Sequence, residues 1–214
     1  MVAQKLKNSS AVHIELCALE TKFDKAYAQL ENCMRDLPQK PDMVVSLGET
    51  GCNLKLEMAA RNLDHTFGPD NAGVERKNSV ILPEANSHLP MTYPLADMYC
   101  SLPKKERGNI FVSHNAGSFV CNNTAFQFSH YYSEMTFGFI HVPANNCRDI
   151  SQLIGSSAER ISIMLESAAK TNLEPKKLPL TKEEIAQLRR DSKGDECRSE
   201  FYGKARGVEL KKKR

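Results

Sequence analysis

Apolar residues along this chain fall into short runs whose period alternates between that of strands and that of helices. Val12–Leu19 (VHIELCAL) is β-branched at several positions and predicts a strand. Thr21 can cap a helix over about Lys22–Leu37, closed off by Pro38 and Pro41. Asp42–Leu47 (DMVVSL) ends at Gly48 and fits a buried parallel strand, with a polar turn at Glu49–Asn53 behind it. Lys55–Leu63 fits strand and helix alike. Residues 64–90, rich in Asn, Pro, Gly and His, predict a long excursion of the kind that usually carries function.

Leu95–Leu102 predicts part of a helix, Asn109–Ser113 a second buried strand, Ser118–Tyr131 a helix and Met135–Val142 a third strand stopped by Pro143. Asp149 can cap a further helix in which Ile150, Leu153, Ile154, Ala158, Ile161, Met164, Leu165 and Ala168 share one face. Strands that alternate with helices predict an α/β layered domain with a largely parallel sheet, here over residues 1–171. Beyond Leu173 the pattern lapses. Pro175 and Pro179 interrupt it, and Thr181 can cap one polar helix, KEEIAQLRR. Residues 172–214 read as a basic C-terminal extension, partly helical or mobile.

Composition changes little in that picture. At 214 residues, 41% hydrophobic and 26% charged, the chain is sized for one globular domain. It has no apolar run long enough for a membrane span and no pattern of a signal peptide, so a cytoplasmic protein without membrane attachment is expected. The net charge of +3 is uneven. Residues 172–214 hold 13 Lys and Arg against 8 Asp and Glu, leaving the body at −2. No aromatic ladder accompanies the tail's charge, so no nucleic-acid partner is expected. The seven cysteines are odd in number, scattered and never in C-x-x-C pairs, which argues against a disulfide framework and against a structural zinc site.

Three segments carry candidate chemistry. In Ser113–Asn122 (SHNAGSFVCN) a strand turns sharply and Cys121 falls near the start of the next helix. Unpaired N–H groups and the helix dipole there favour a thiolate and can hold an oxyanion. In GFIHVP, His141 ends a hydrophobic strand, as suits a general base at a crevice. Glu57, between Leu56 and Met58, is a carboxylate able to orient an imidazole. Each has an ordinary structural reading as well: a buried cysteine, a satisfied core histidine, a solvent-facing glutamate.

Taken together these segments resemble the pyroglutamyl-peptidase I (pyrrolidone-carboxylate peptidase) family. Its cysteine motif, A-G-x-[FY]-[VL]-C, and its strand end, F-I-H-[VI]-P, match AGSFVC at 116–121 and FIHVP at 139–143. EMAARN at 57–62 matches the acidic E-x-x-[AG]-x-N setting, and DNAG at 70–73 the D-N-x-G loop. The resemblance covers about residues 1–170. It implies a three-layer α/β/α sandwich with a mostly parallel mixed sheet. It also implies a cysteine omega-peptidase that removes N-terminal pyroglutamate from peptides through a thioester. Cys121, His141 and Glu57 would form the triad, with Phe119 and Val120 lining the pyrrolidone pocket. No metal or organic cofactor is expected, and a homotetramer, as in many bacterial members, is.

Three departures accompany the match. The family's opening strand and its G-F-x-P-F-G-G loop have no counterpart, since MVAQKL resembles the helix after that loop; a truncated product or misplaced start is expected in preference to a naturally shortened protein. Phe67 stands near the place of an arginine that many members carry, and Glu49 replaces a neutral polar pocket contact. The second reading is therefore a homologue of impaired catalysis or altered specificity that serves binding or assembly. A phosphorylase activity on fold grounds alone is set aside, because fold does not carry function.

Overall fold

A computed structural model describes residues 12–171 and 173–208. In chain order its elements are α1 (Ala26–Asp36), β1 (Met43–Glu49), β2 (Leu54–Glu57), β3 (Ala59–Arg61), β4 (His88–Pro90), α2 (Leu95–Cys100), a 3₁₀ turn (Lys104–Glu106) and β5 (Ile110–Ser113). There follow α3 (Val120–Tyr131), β6 (Thr136–Val142), α4 (Ile150–Ala168), α5 (Lys182–Asp191) and α6 (Glu196–Lys204). The expectation for MVAQKL lies outside the described residues.

The main sheet has the order β1-β6-β2-β5, and β3 and β4 form a separate antiparallel pair. β1 runs parallel to β6, β2 parallel to β5, and β2 antiparallel to β6. The sheet is thus mixed, with helices flanking it. Alternation along β6 assigns the faces. Phe137 meets Phe128 of α3 at 4.5 Å between ring centroids, whereas Gly138, pointing the other way, meets Tyr93 just ahead of α2. Leu54, Leu56, Phe126, Phe128, Phe137 and Ile140 are fully or almost fully buried between these layers.

The ambiguous Lys55–Leu63 resolves into two strands of two different sheets, parted at the buried Met58. Val12–Leu19 forms no strand among the described residues; its apolar side chains are largely unburied, and Leu16 is 73% exposed. Asp149 stands before α4 with φ at +57° and gives no side-chain cap. Thr181 does cap α5, accepting from the Glu184 N–H while Glu184 bonds back to the Thr181 N–H.

The segment expected as an appendage is packed in from residue 173 to 208. Lys176 and Leu178 donate backbone hydrogen bonds to Thr92 and Met91, His114 bonds the Pro179 carbonyl at 2.8 Å, and Tyr99 donates to Glu200 at 2.6 Å. Phe201 of α6 is fully buried against Tyr99. That helix escapes a reading by periodicity because ECRSEFYGK is mostly polar; Asp195 starts it by accepting from the Arg198 N–H.

The cysteines require the plainest correction. Six of the seven are paired, Cys17 with Cys33, Cys52 with Cys147 and Cys100 with Cys197, and only Cys121 is free. Two of the pairs join residues 95 and 97 positions apart, so no local spacing announces them. Among the described residues no helix is long and apolar enough to cross a membrane, and no three His, Cys, Asp or Glu residues cluster as a metal site would need.

Candidate active site

Strand register brings Glu57 and His141 together. Glu57 is opposite Phe139 and Lys55 opposite His141 in the antiparallel β2–β6 pair, so all four side chains leave the same face of the sheet. From there the Glu57 carboxylate Oε1 lies 2.9 Å from His141 Nδ1. Both residues are buried, Glu57 completely and His141 to 4% exposure. A carboxylate accepts only, so Nδ1 carries the proton and Nε2 is left as the basic nitrogen. Glu57 Oε2 has no partner among the described residues, which concentrates the carboxylate's interaction on the imidazole.

Behind this pair, Tyr93 holds the two strands in step. Its hydroxyl donates to the Glu57 carbonyl at 2.9 Å, with the Phe139 carbonyl at 3.2 Å. The ring fits only because position 138 is glycine: a Cβ there would fall 2.2 Å from a Tyr93 ring carbon.

Cys121 reaches the same face from above. It is the second residue of α3, and Phe119, the residue just before that helix, provides no side-chain cap for the first-turn N–H groups. Asn122 anchors that turn: its Oδ1 accepts from the Arg61 N–H at 2.8 Å and its Nδ2 donates to the Arg61 and Leu63 carbonyls at 2.8 and 3.1 Å. The sulfur rests against Gly48, the β1 residue paired with His141; a Cβ at Gly48 would sit 2.9 Å from Cys121 Sγ and 2.9 Å from Phe139 Cζ. Cys121, His141 and Glu57 therefore share one side of the sheet. No hydrogen bond joins Cys121 to His141; such contacts often tighten only once substrate is bound.

The thiol's ionisation departs from expectation. Burial pushes the Cys121 thiol above its ordinary value; its own backbone N–H opposes this, and the nearby Glu57 charge adds to it. The helix terminus expected to favour a thiolate is outweighed by loss of water. Burial thus favours the thiol over the thiolate.

The other expected residues divide. Phe119 is half-buried and packs edge-on against Phe23, with 5.5 Å between ring centroids, just ahead of α3. Val120 is buried with Phe23 and Ala26 and presents no open surface. Glu49 follows Gly48 in β1 and is exposed; alternation directs it to the opposite face, away from the Cys121 side. Phe67 is 98% exposed. Missed from the sequence were Phe23 and Asp70 as one unit. Asp70 accepts from the N–H groups of Phe23, Ala72 and Val74 at 2.7–2.9 Å, folding the DNAG turn and fixing Phe23 beneath Phe119. Arg76 covers the other side of Phe23 at 4.4 Å while pairing with Asp24 and Asp64. The DNAG match was the available signal, but it did not reveal which ring the aspartate holds.

Comparison with known proteins points to one family. A family model described as "Pyroglutamyl peptidase" matches residues 2–176. The chain is 30% identical over 137 residues to a pyrrolidone-carboxylate peptidase of Thermosipho africanus, covering 59% of this chain and 63% of that protein. To the Erwinia tasmaniensis protein of the same name it is 31% identical over 132 residues, covering 59% and 58%. It spans about three-fifths of the length of these relatives. The crystal structure of Bacillus amyloliquefaciens pyroglutamyl peptidase I superposes with a TM-score of 0.66 at 24% identity, over 82% of this chain and 89% of that one, a likeness of fold.

Proposed function

Because the chain belongs to the pyroglutamyl peptidase family, we propose that it removes N-terminal pyroglutamate from peptides by thiol catalysis, with Cys121 as nucleophile, His141 as proton carrier and Glu57 as the group that orients it. The observation that carries this reading is the buried Glu57–His141 pair at 2.9 Å on the face where the one free thiol lies.

Because burial favours the thiol form, proton removal accompanies attack. His141 Nε2 takes the Sγ proton as the sulfur attacks the acyl carbonyl carbon of the pyroglutamyl residue, and Glu57 stabilises the imidazolium that forms. The oxyanion develops beside the uncapped first turn of α3, whose N–H groups are its donors. Collapse of this intermediate breaks the C–N bond, and the Nε2 proton goes to the departing amine, which leaves as the shortened peptide. Water, deprotonated by Nε2, then attacks the thioester; free pyroglutamate departs and the proton returns to sulfur. Phe119, backed by Phe23, is the wall against which the pyrrolidone ring packs. The alternative of altered specificity through Glu49 loses its main support, since that side chain points to the other face. Assembly into a homotetramer belongs to the same proposal, and sedimentation of the purified chain tests it.

The test of the reaction is hydrolysis of a pyroglutamyl-arylamide reporter. Cys121→Ser is expected to reduce turnover to background. Equal turnover by the wild-type chain and Cys121→Ser overturns the assignment.

A further inference from the structure

We propose that this protein matures and works in an oxidising compartment, where a thiol–disulfide oxidoreductase closes its three disulfides and Cys121 alone remains a thiol. The cytoplasm expected from the sequence would hold such cysteines reduced.

Three independent pairings support this. Their Cα–Cα separations are 6.1, 5.6 and 5.8 Å, all within the span a disulfide bridges. They consume every cysteine but one, an outcome that scattered inert thiols would not produce. Each also cross-links segments that lie outside the sheet. Cys17–Cys33 ties the irregular, largely unburied segment before α1 to that helix. Cys100–Cys197 joins the end of α2 to the polar helix α6. Cys52–Cys147 links the turn after β1 to the loop after β6, behind the strand ends that bear Gly48 and His141.

The chemistry balances by exchange. A thiolate of each pair attacks the oxidoreductase's disulfide to form a mixed disulfide, and the second thiolate of the pair attacks that bond at this protein's sulfur, closing the new disulfide and expelling the oxidoreductase's thiolate. The oxidoreductase leaves as a dithiol carrying both hydrogens. Cys121 is spared because the other six cysteines are paired with one another, so none is left to resolve it from a mixed disulfide. Its sulfur rests against Gly48, and burial favours its thiol form.

The test compares the full chain directed through a secretory pathway with the same chain from a reducing cytosol, both purified without reductant. Each is unfolded in iodoacetamide, weighed, digested for disulfide mapping, then reduced and relabelled. The secreted protein is expected to take one label, on Cys121, and six more only after reduction, with the three pairs above in the map. Its melting temperature is expected to fall by at least about 10 °C in dithiothreitol. The cytosolic protein is expected to take seven labels at once and to melt at the lower temperature. Seven labels on unreduced secreted protein, different pairs, or equal melting with and without dithiothreitol overturns the proposal. Label counting needs no substrate, so this result is separate from the fate of the proposed reaction.

Discussion

Gly48→Ala probes the site by adding a single methyl group. The new carbon would lie 2.9 Å from Cys121 Sγ, 2.9 Å from Phe139 Cζ and 3.3 Å from Phe139 Cε1. Ordinary contacts of such atoms lie at about 3.5–4.0 Å, so something must yield by roughly 0.6–1 Å. Phe139 is 3% exposed and its ring is 4.7 Å from that of His141, which leaves it little room to move. The thiol is the freer partner and is expected to give way. Overpacking of this kind costs about 1–3 kcal/mol, or a fall of roughly 2–12 °C in Tm for a chain this size. A nucleophile displaced by about 1 Å costs on the order of 10²-fold in kcat/KM. Reporter hydrolysis and thermal melting, measured together, separate the two effects. Leu47→Ala is the control: one residue earlier in β1, Leu47 points to the other face, is 48% exposed, and should leave kcat within about twofold. A folded Gly48→Ala protein with wild-type kcat/KM would refute the placement of the sulfur.

Glu57→Gln preserves shape but removes the charge that holds the Nδ1 proton and supports the imidazolium, so kcat is expected to fall by about 10²–10⁴-fold with KM little changed; a loss below threefold in steady-state kinetics contradicts the orienting role. Alkylation of native Cys121 by iodoacetamide is expected to be slow at neutral pH and still rising above about pH 9, because its thiol is pushed up by burial; a plateau near neutrality contradicts this. Burial also lowers the pKa of His114, although its bond to the Pro179 carbonyl opposes the shift. The unfolded chain therefore takes up a proton near pH 6.5 while the folded one resists it. The stability due to His114 is full above about pH 6.5 and is lost as pH falls towards the lower folded value. His114→Gln is expected to flatten the decline in Tm between about pH 7 and pH 5, and an unchanged slope counts against it.

What the sequence disclosed followed the distance over which each feature is encoded. β1, β5, α3 and β6 were legible because their apolar runs are contiguous, and AGSFVC and FIHVP were legible as motifs. Glu57 stood out because a carboxylate between apolar neighbours needs a partner. Gly48 did not, since its importance depends on a sulfur 73 positions away in the chain. The disulfides stayed hidden because their partners meet only through tertiary structure. Val12–Leu19 misled for the reverse reason: β-branched residues favour a strand, but none of the described strands pairs with it. The thiol's ionisation was misjudged because a helix start can be located in sequence, whereas the depth of the sulfur cannot.

The notch at Gly138 sets a limit on how the centre of this sheet can change. A tyrosine ring fills the space a side chain would take, and the same ring's hydroxyl reaches the carbonyls of the two strands bearing the acid and the imidazole. Exchanging bulk between positions 93 and 138 could restore the volume but not that polar tether. The two positions are thus coupled through a hydroxyl as well as through space, and viable variants of either are expected to retain the pair as it stands.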